Sequence, residues 1–214
     1  MKNFFDIDAF PWRWLCRLAD LMLLNLLFLI CCIPGFTVGP ALSALYSVCL
    51  KMAEGDDPGI IKAYFCAFRR NFRQSAILWL IMAGIGALLW INRFCLGVLP
   101  EAPAACMKVL HNILLLIYIG VFSYLFPIQC KFENSVKNTF KNAFALAARH
   151  FIPCTLPICA LNLAPVILLQ IGSEAAITVL TFCLWFLFSG IAFLNSRILL
   201  QIFRKYISSG SRGS

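Results

Sequence analysis

The stretch "LICCIPGFTVGPALSALYSV", Leu29 to Val48, sets two prolines and two glycines inside a run with no charged residue from Leu21 through Leu50. As one straight helix that run would be about 45 Å long at about 1.5 Å per residue, half as long again as a hydrocarbon core of about 30 Å. A break is therefore required. Pro34 and Pro40 each lack an amide donor and bias the residue before them away from helix, while Gly35 and Gly39 tolerate a turn that other residues resist. These residues predict a break near 33–40 and two legs of unequal length. The second leg, about Thr37 to Leu50, would span only about 21 Å as a helix, short for a crossing. A tilted span with Lys51 reaching back to the headgroups and a re-entrant segment both remain open for residues 37–50.

The rest of the chain has the same character. Of its 214 residues 62% are hydrophobic and 13% charged, with a mean hydropathy of +0.87. A soluble domain carries about a quarter charged residues. Further charge-free runs cover 74–92, 109–130, 151–173 and 175–196, each near the roughly 20 residues that a spanning helix needs. They lack the alternation of barrel strands, and only helices or closed barrels satisfy their backbone in lipid. The expected fold class is an all-α, polytopic membrane helical bundle. Residues 1–207 form one helical membrane domain, and residues 208–214 a disordered tail or cloning remnant. The acidic leading region (Asp6, Asp8, Asp20) and the long apolar run argue against a cleaved signal peptide.

Charge then decides the threading. Lys and Arg number three in residues 1–17, five in 51–73, four in 131–149 and four from Arg197 onward, but only two in 93–108. If the second leg returns, sixteen of the eighteen share one side, which the positive-inside rule makes cytoplasmic. The expectation is a multi-pass protein of the bacterial plasma membrane with about six segments as three hairpins, both termini cytoplasmic and the Ile33–Gly39 turn toward the outer face. The net charge of +9 is spread over the ends of the apolar runs, which suits anionic lipid headgroups and shows no nucleic-acid recognition motif.

Two cytoplasmic connections read as amphipathic surface helices. After Asp57-Pro58, a good cap and first-turn pair, Ile61, Tyr64, Phe65, Phe68 and Phe72 recur at helical spacing, with Lys62, Arg69, Arg70 and Arg73 among them. Later Phe132, Val136, Phe140, Phe144 and Ala147 recur likewise, with Lys137 and Lys141 opposite. These six basic residues form a candidate docking or lipid surface. Both apolar stripes can pack equally well against lipid or against the bundle.

Chemistry is sparse. No HExxH, G-x-S-x-G, P-loop or paired Cys/His pattern occurs, and the eleven cysteines show no CxxC or metal-ligand spacing. Neither a cofactor nor a metal is implied, and the chain is not expected to be an enzyme. Arg17 and Asp20, three apart on one helix, form a candidate interfacial ion pair. Asn25, Ser43, Tyr46 and Asn162 are either interhelical hydrogen-bonding groups or the lining of a polar cavity, since proline-broken helices line solute sites in some transporters. Cys95 and Cys106 near the outer connection are candidates for a disulfide, with reduced thiols as the default.

Several segments carry a family resemblance: Asn25 with "TVGPALSALYSV" (Thr37 to Val48), "AFRRNFRQSAILWLI" (Ala67 to Ile81), "NTFKNAFALAARHF" and "LNSRILLQIFRKYI". In this order they resemble the YesL-like family of bacterial integral membrane proteins, whose biochemical activity is not established. The resemblance implies an accessory or regulatory role beside a carbohydrate uptake or sensing system, with a transporter or sensor kinase as membrane partner, and it supplies no site residues. A small-solute transporter or channel is the alternative. Oligomeric state is left open.

Overall fold

The computed structural model describes residues 10–56, 59–97, 101–132, 135–149, 155, 157–160 and 187–210, and among these it contains only helix, turn and irregular backbone. The main helices are α1 (Phe10–Cys32), α2 (Val38–Glu54), α3 (Ile60–Leu96), α4 (Glu101–Lys131), α5 (Val136–Arg149) and α6 (Leu187–Gly210). Among the described residues three stretches are long and apolar enough to cross a membrane: Leu15–Cys32, Ile60–Leu96 and Cys106–Lys131. The chain is thus an all-α membrane helical bundle, as expected. The runs 151–173 and 175–196 fall largely outside the described residues. Because α6 runs to Gly210, the tail boundary expected after residue 207 falls within a helix.

The break comes where the prolines demanded it, but its residues divide the work differently. Residues 33–37 leave the helix. Gly35 takes φ +73° with nothing near its absent Cβ, so it serves the turn. Its N–H reaches Cys32 O at 3.0 Å, and the Thr37 hydroxyl donates to Cys31 O at 2.5 Å, occupying a carbonyl that the end of α1 leaves open. Pro40 lies within the first turn of α2, where a missing amide costs nothing. Gly39 is helical rather than part of the turn. A Cβ there would lie 2.3 Å from Ser75 O and 2.5 Å from Trp79 Cβ, so its lack of a side chain lets α2 and α3 touch.

From that contact α2 runs through the centre of the bundle. Twelve of its seventeen residues are buried, and it packs against α1, α3, α4 and α6. A helix buried all round needs no polar face, which accounts for its near-continuous apolar sequence. Gly55 at φ +97° ends it, with Gly55 N–H on Met52 O and Asp56 N–H on Lys51 O, the paired bonds of a Schellman cap.

The first expected surface helix is not separate. Residues 60–73 are the opening turns of α3, continuous with the apolar run after Arg73. With no proline or glycine between Ile60 and Ala83, nothing local stops the helix, which reaches about 56 Å. Its buried face is Ile60, Tyr64 and Ala67, while Ile61 and Phe65 are exposed, a rotation of about one residue from the expected stripe. A ladder of rings, Tyr64–Phe68 at 6.3 Å and Phe68–Phe72 at 5.5 Å, runs along it.

Helices α3 and α4 form an antiparallel pair whose register is fixed by side-chain contacts. Gln129 Nε2 donates to Ser75 Oγ at 2.8 Å, Trp79 meets Phe122 with centroids 6.2 Å apart, the Tyr118 hydroxyl donates to Met82 O at 3.1 Å, and Asn92 Nδ2 lies 3.2 Å from His111 Nδ1. From Ser75 to Asn92 is about 26 Å of helix, close to the hydrocarbon thickness. Against this scale the start of α2, at Gly39, sits beside Ser75 and Trp79, near the middle of α3. From there to the 93–108 connection, where the turn was expected to share a face, is about 26 Å along α3.

Candidate functional site: a buried polar cluster and two basic faces

Three of the four polar residues singled out from sequence converge around α2. Asn25, Ser43 and Tyr46 are all buried. Ser189 N–H donates to Asn25 Oδ1 at 3.3 Å, joining α1 to α6. Cys130 Sγ donates to Ser43 O at 2.9 Å and lies 3.3 Å from Ser43 Oγ, joining α2 to α4. Asn195 Nδ2 donates to the Tyr46 hydroxyl at 3.3 Å, and the Cys49 thiol points to Ser189 O at 3.8 Å. Asn162 lies outside the described residues. The cluster joins helices by hydrogen bonds in a low-dielectric interior, where unmade bonds are costly. Two acceptors within the core, Asn195 Oδ1 and Gln129 Oε1, have no protein partner.

Gln129 and Ser75 belong to the same polar layer and were not singled out from sequence. The available signal was Gln129 itself, an amide near the end of the apolar run 109–130. Another missed contact is the Lys131–Glu54 ion pair, which ties the ends of α4 and α2 together. His111 is buried against Asn92, and among the described residues no cluster of three or more His, Cys, Asp or Glu could hold a metal. Cys95 and Cys106 are free, exposed thiols.

The six basic residues of the candidate surface face outward. Lys62, Arg69, Arg70 and Arg73 are exposed on the first half of α3, and Lys137 and Lys141 on α5. Arg17 is exposed and Asp20 half-buried on α1, with Asp20 engaged in an interaction of its own. Helix α5 is amphipathic as expected: Val136 and Phe140 pack half-buried against the core beside the buried Thr139, Ala143 and Ala147, while Phe144 is exposed. Small residues allow closer approach than the phenylalanine stripe would. They bring Ala147 up to Gly120 of α4, where an added Cβ would be 3.9 Å from Ala147 Cβ and 3.3 Å from Thr155 Cγ2.

Comparison with known proteins finds relatives whose function is not established. Residues 21–93, from α1 through α2 to the end of the apolar run of α3, match the family model described as "Protein of unknown function, DUF624". The chain is 28% identical over 138 residues to "Uncharacterized protein YesL" of Bacillus subtilis (strain 168), covering 63% of either chain. It is 26% identical over 156 residues to "Uncharacterized protein YteU" of the same organism, covering 71% of this chain and 68% of that one. The first match spans less than two thirds of that relative's length. No solved structure matches the chain significantly. The matches bear out the resemblance carried by the sequence patterns: the chain is similar to YesL and YteU, and its residues 21–93 match a family model of unknown function.

Proposed function

We propose that the chain is a non-enzymatic accessory protein of the bacterial plasma membrane that docks a membrane partner through its basic cytoplasmic faces. The observation that carries this reading is the outward projection of Lys62, Arg69, Arg70 and Arg73 from the part of α3 that precedes its charge-free run. Charges so placed steer association and select partners by complementary potential. The resemblance points to a carbohydrate transporter or sensor kinase as the partner, and both termini lie in the cytoplasm with these faces. The chain carrying Arg69→Glu, Arg70→Glu and Arg73→Glu together is compared with the unaltered chain by co-purification from native membranes. A transporter or kinase subunit should accompany the unaltered chain and be lost from the variant, whereas recovery of the chain alone in both cases counts against the proposal.

The second reading is a small-solute pathway through the buried polar layer, favoured by the unpartnered oxygens of Asn195 and Gln129. Solute flux into vesicles holding the purified chain, lost on Asn195→Leu, would separate it from the first.

A further inference from the structure

Helix α5 folds back along α4, and one strip of its surface changes character along its length. Lys137, Lys141, Phe144 and Ala148 follow one another at helical spacing and are all exposed, whereas Thr139, Ala143 and Ala147 are buried against the bundle. The strip is basic near the start of α5, which follows Lys131 at the end of α4's apolar run; Arg149, in the last turn, lies off the strip and is engaged in an interaction of its own. It becomes apolar toward Ala147, which sits at Gly120. Gly120 lies eleven residues before Lys131, about 16 Å along the helix and hence about half the hydrocarbon thickness.

At that depth a groove of about 260 Å³ opens between the two helices, lined by Leu116, Gly120, Phe144, Ala147, Ala148 and Thr155 among others. Gly120 forms its floor. The Thr155 hydroxyl is turned inward, donating 3.0 Å bonds shared between Tyr124 Oη and Ala147 O, so the groove presents methyl, methylene and ring surface. The volume falls just below the roughly 300 Å³ at which compact ligand sites begin and suits a stretch of hydrocarbon chain. Lys141 stands one to two turns from the groove toward the headgroup level, within the reach of a lysine that buries its stem and keeps its ammonium at the interface.

We infer that α4 and α5 form a binding site for one anionic phospholipid, an acyl chain in the Gly120 groove and the phosphate between Lys137 and Lys141. The charge sequence along the strip matches the amphiphile: cations where the phosphate lies, apolar surface where the chain lies. A neutral phospholipid would use the groove and not the cations. This site is independent of partner docking through α3 and stands or falls separately from it.

The test uses the full chain in detergent, with phosphatidylglycerol and phosphatidylcholine of identical acyl chains as probes and native mass spectrometry as readout. Phosphatidylglycerol should be retained preferentially. The double variant Lys137→Gln, Lys141→Gln should lower that preference by about fivefold per lysine, the effect of about 1 kcal/mol for each basic residue near an anionic surface. Ala148→Trp, at an exposed position that plugs the groove, should abolish retention of either lipid. Equal retention of both lipids by the unaltered chain, or undiminished retention by Ala148→Trp, overturns the site. As a check that needs no variant, phosphatidylglycerol with a photoreactive diazirine at mid-chain should label peptides containing Gly120 or Phe144. Labelling spread over the other helices instead would also overturn it.

Discussion

Replacing Gly39 by alanine tests the central contact of the bundle. The new Cβ would sit 2.3 Å from Ser75 O and 2.5 Å from Trp79 Cβ, about 1 Å inside ordinary contact. Neither neighbour is the free end of a flexible side chain, so α2 and α3 must separate along much of their shared length. Overpacking of this kind costs about 1–3 kcal/mol, offset by up to about 1 kcal/mol because alanine favours helix over glycine. The net loss of about 1–2 kcal/mol corresponds to a melting point lower by about 2–8 °C for a chain of this size. Melting in detergent can be followed with a thiol-reactive dye, because Cys49 and Cys159 are buried free thiols that unfolding exposes. Gly84→Ala is the control: its added Cβ meets nothing within 4 Å, so only the helix-propensity gain remains and the melting point should hold or rise. If Gly39→Ala melts at or above the unaltered chain, the close approach of α2 to α3 is wrong and the register built on it fails.

Two further outcomes follow from the same geometry. Tyr46→Phe removes the acceptor for Asn195 Nδ2, whose Oδ1 already lacks a protein partner; the loss should be about 1–3 kcal/mol, read in the same melting assay, and a neutral effect would mean that Asn195 is hydrated. In an otherwise cysteine-free chain, Phe36→Cys should react with a membrane-impermeant thiol reagent in intact cells far more slowly than a lone Cys95, because Gly39, three residues on, lies beside Trp79, about 26 Å short of the end of α3; equal rates would place the turn at the outer face.

The break after α1 was legible because its cause is local: Pro34 and Gly35 act on their own backbone. The role of Gly39 was not, since its reason is the backbone of Ser75 and the side chain of Trp79, in another helix. The continuity of α3 was hidden by the change from basic to apolar composition at Arg73, which resembles an element boundary. The more reliable sign was the lack of any breaker between Ile60 and Ala83, because backbone geometry rather than hydropathy ends a helix. In the polar cluster, Asn25, Ser43 and Tyr46 stood out as polar residues within an apolar run. Their partners Ser189, Cys130 and Asn195 are 164, 87 and 149 residues away, and no periodicity links them. Of the stripe that runs into α5, Phe132, Val136, Phe140 and Ala147 do face the core, and only Phe144 turns outward; Thr139 and Ala143 escaped notice because small residues carry little apolar signal.

The burial of α2 also has a consequence for biosynthesis. Tyr46 is bonded by Asn195, 149 residues later in the chain, and at about 5–20 residues per second that partner emerges roughly 7–30 s after it. Throughout that interval α2, with Ser43, Tyr46 and Ser47 among its buried residues, has α1 and then α3 beside it but not the helix that completes its surroundings. The α1–α2 hairpin is therefore completed only well after it leaves the ribosome, and the insertion machinery must shelter a short, polar-flecked helix until α6 arrives.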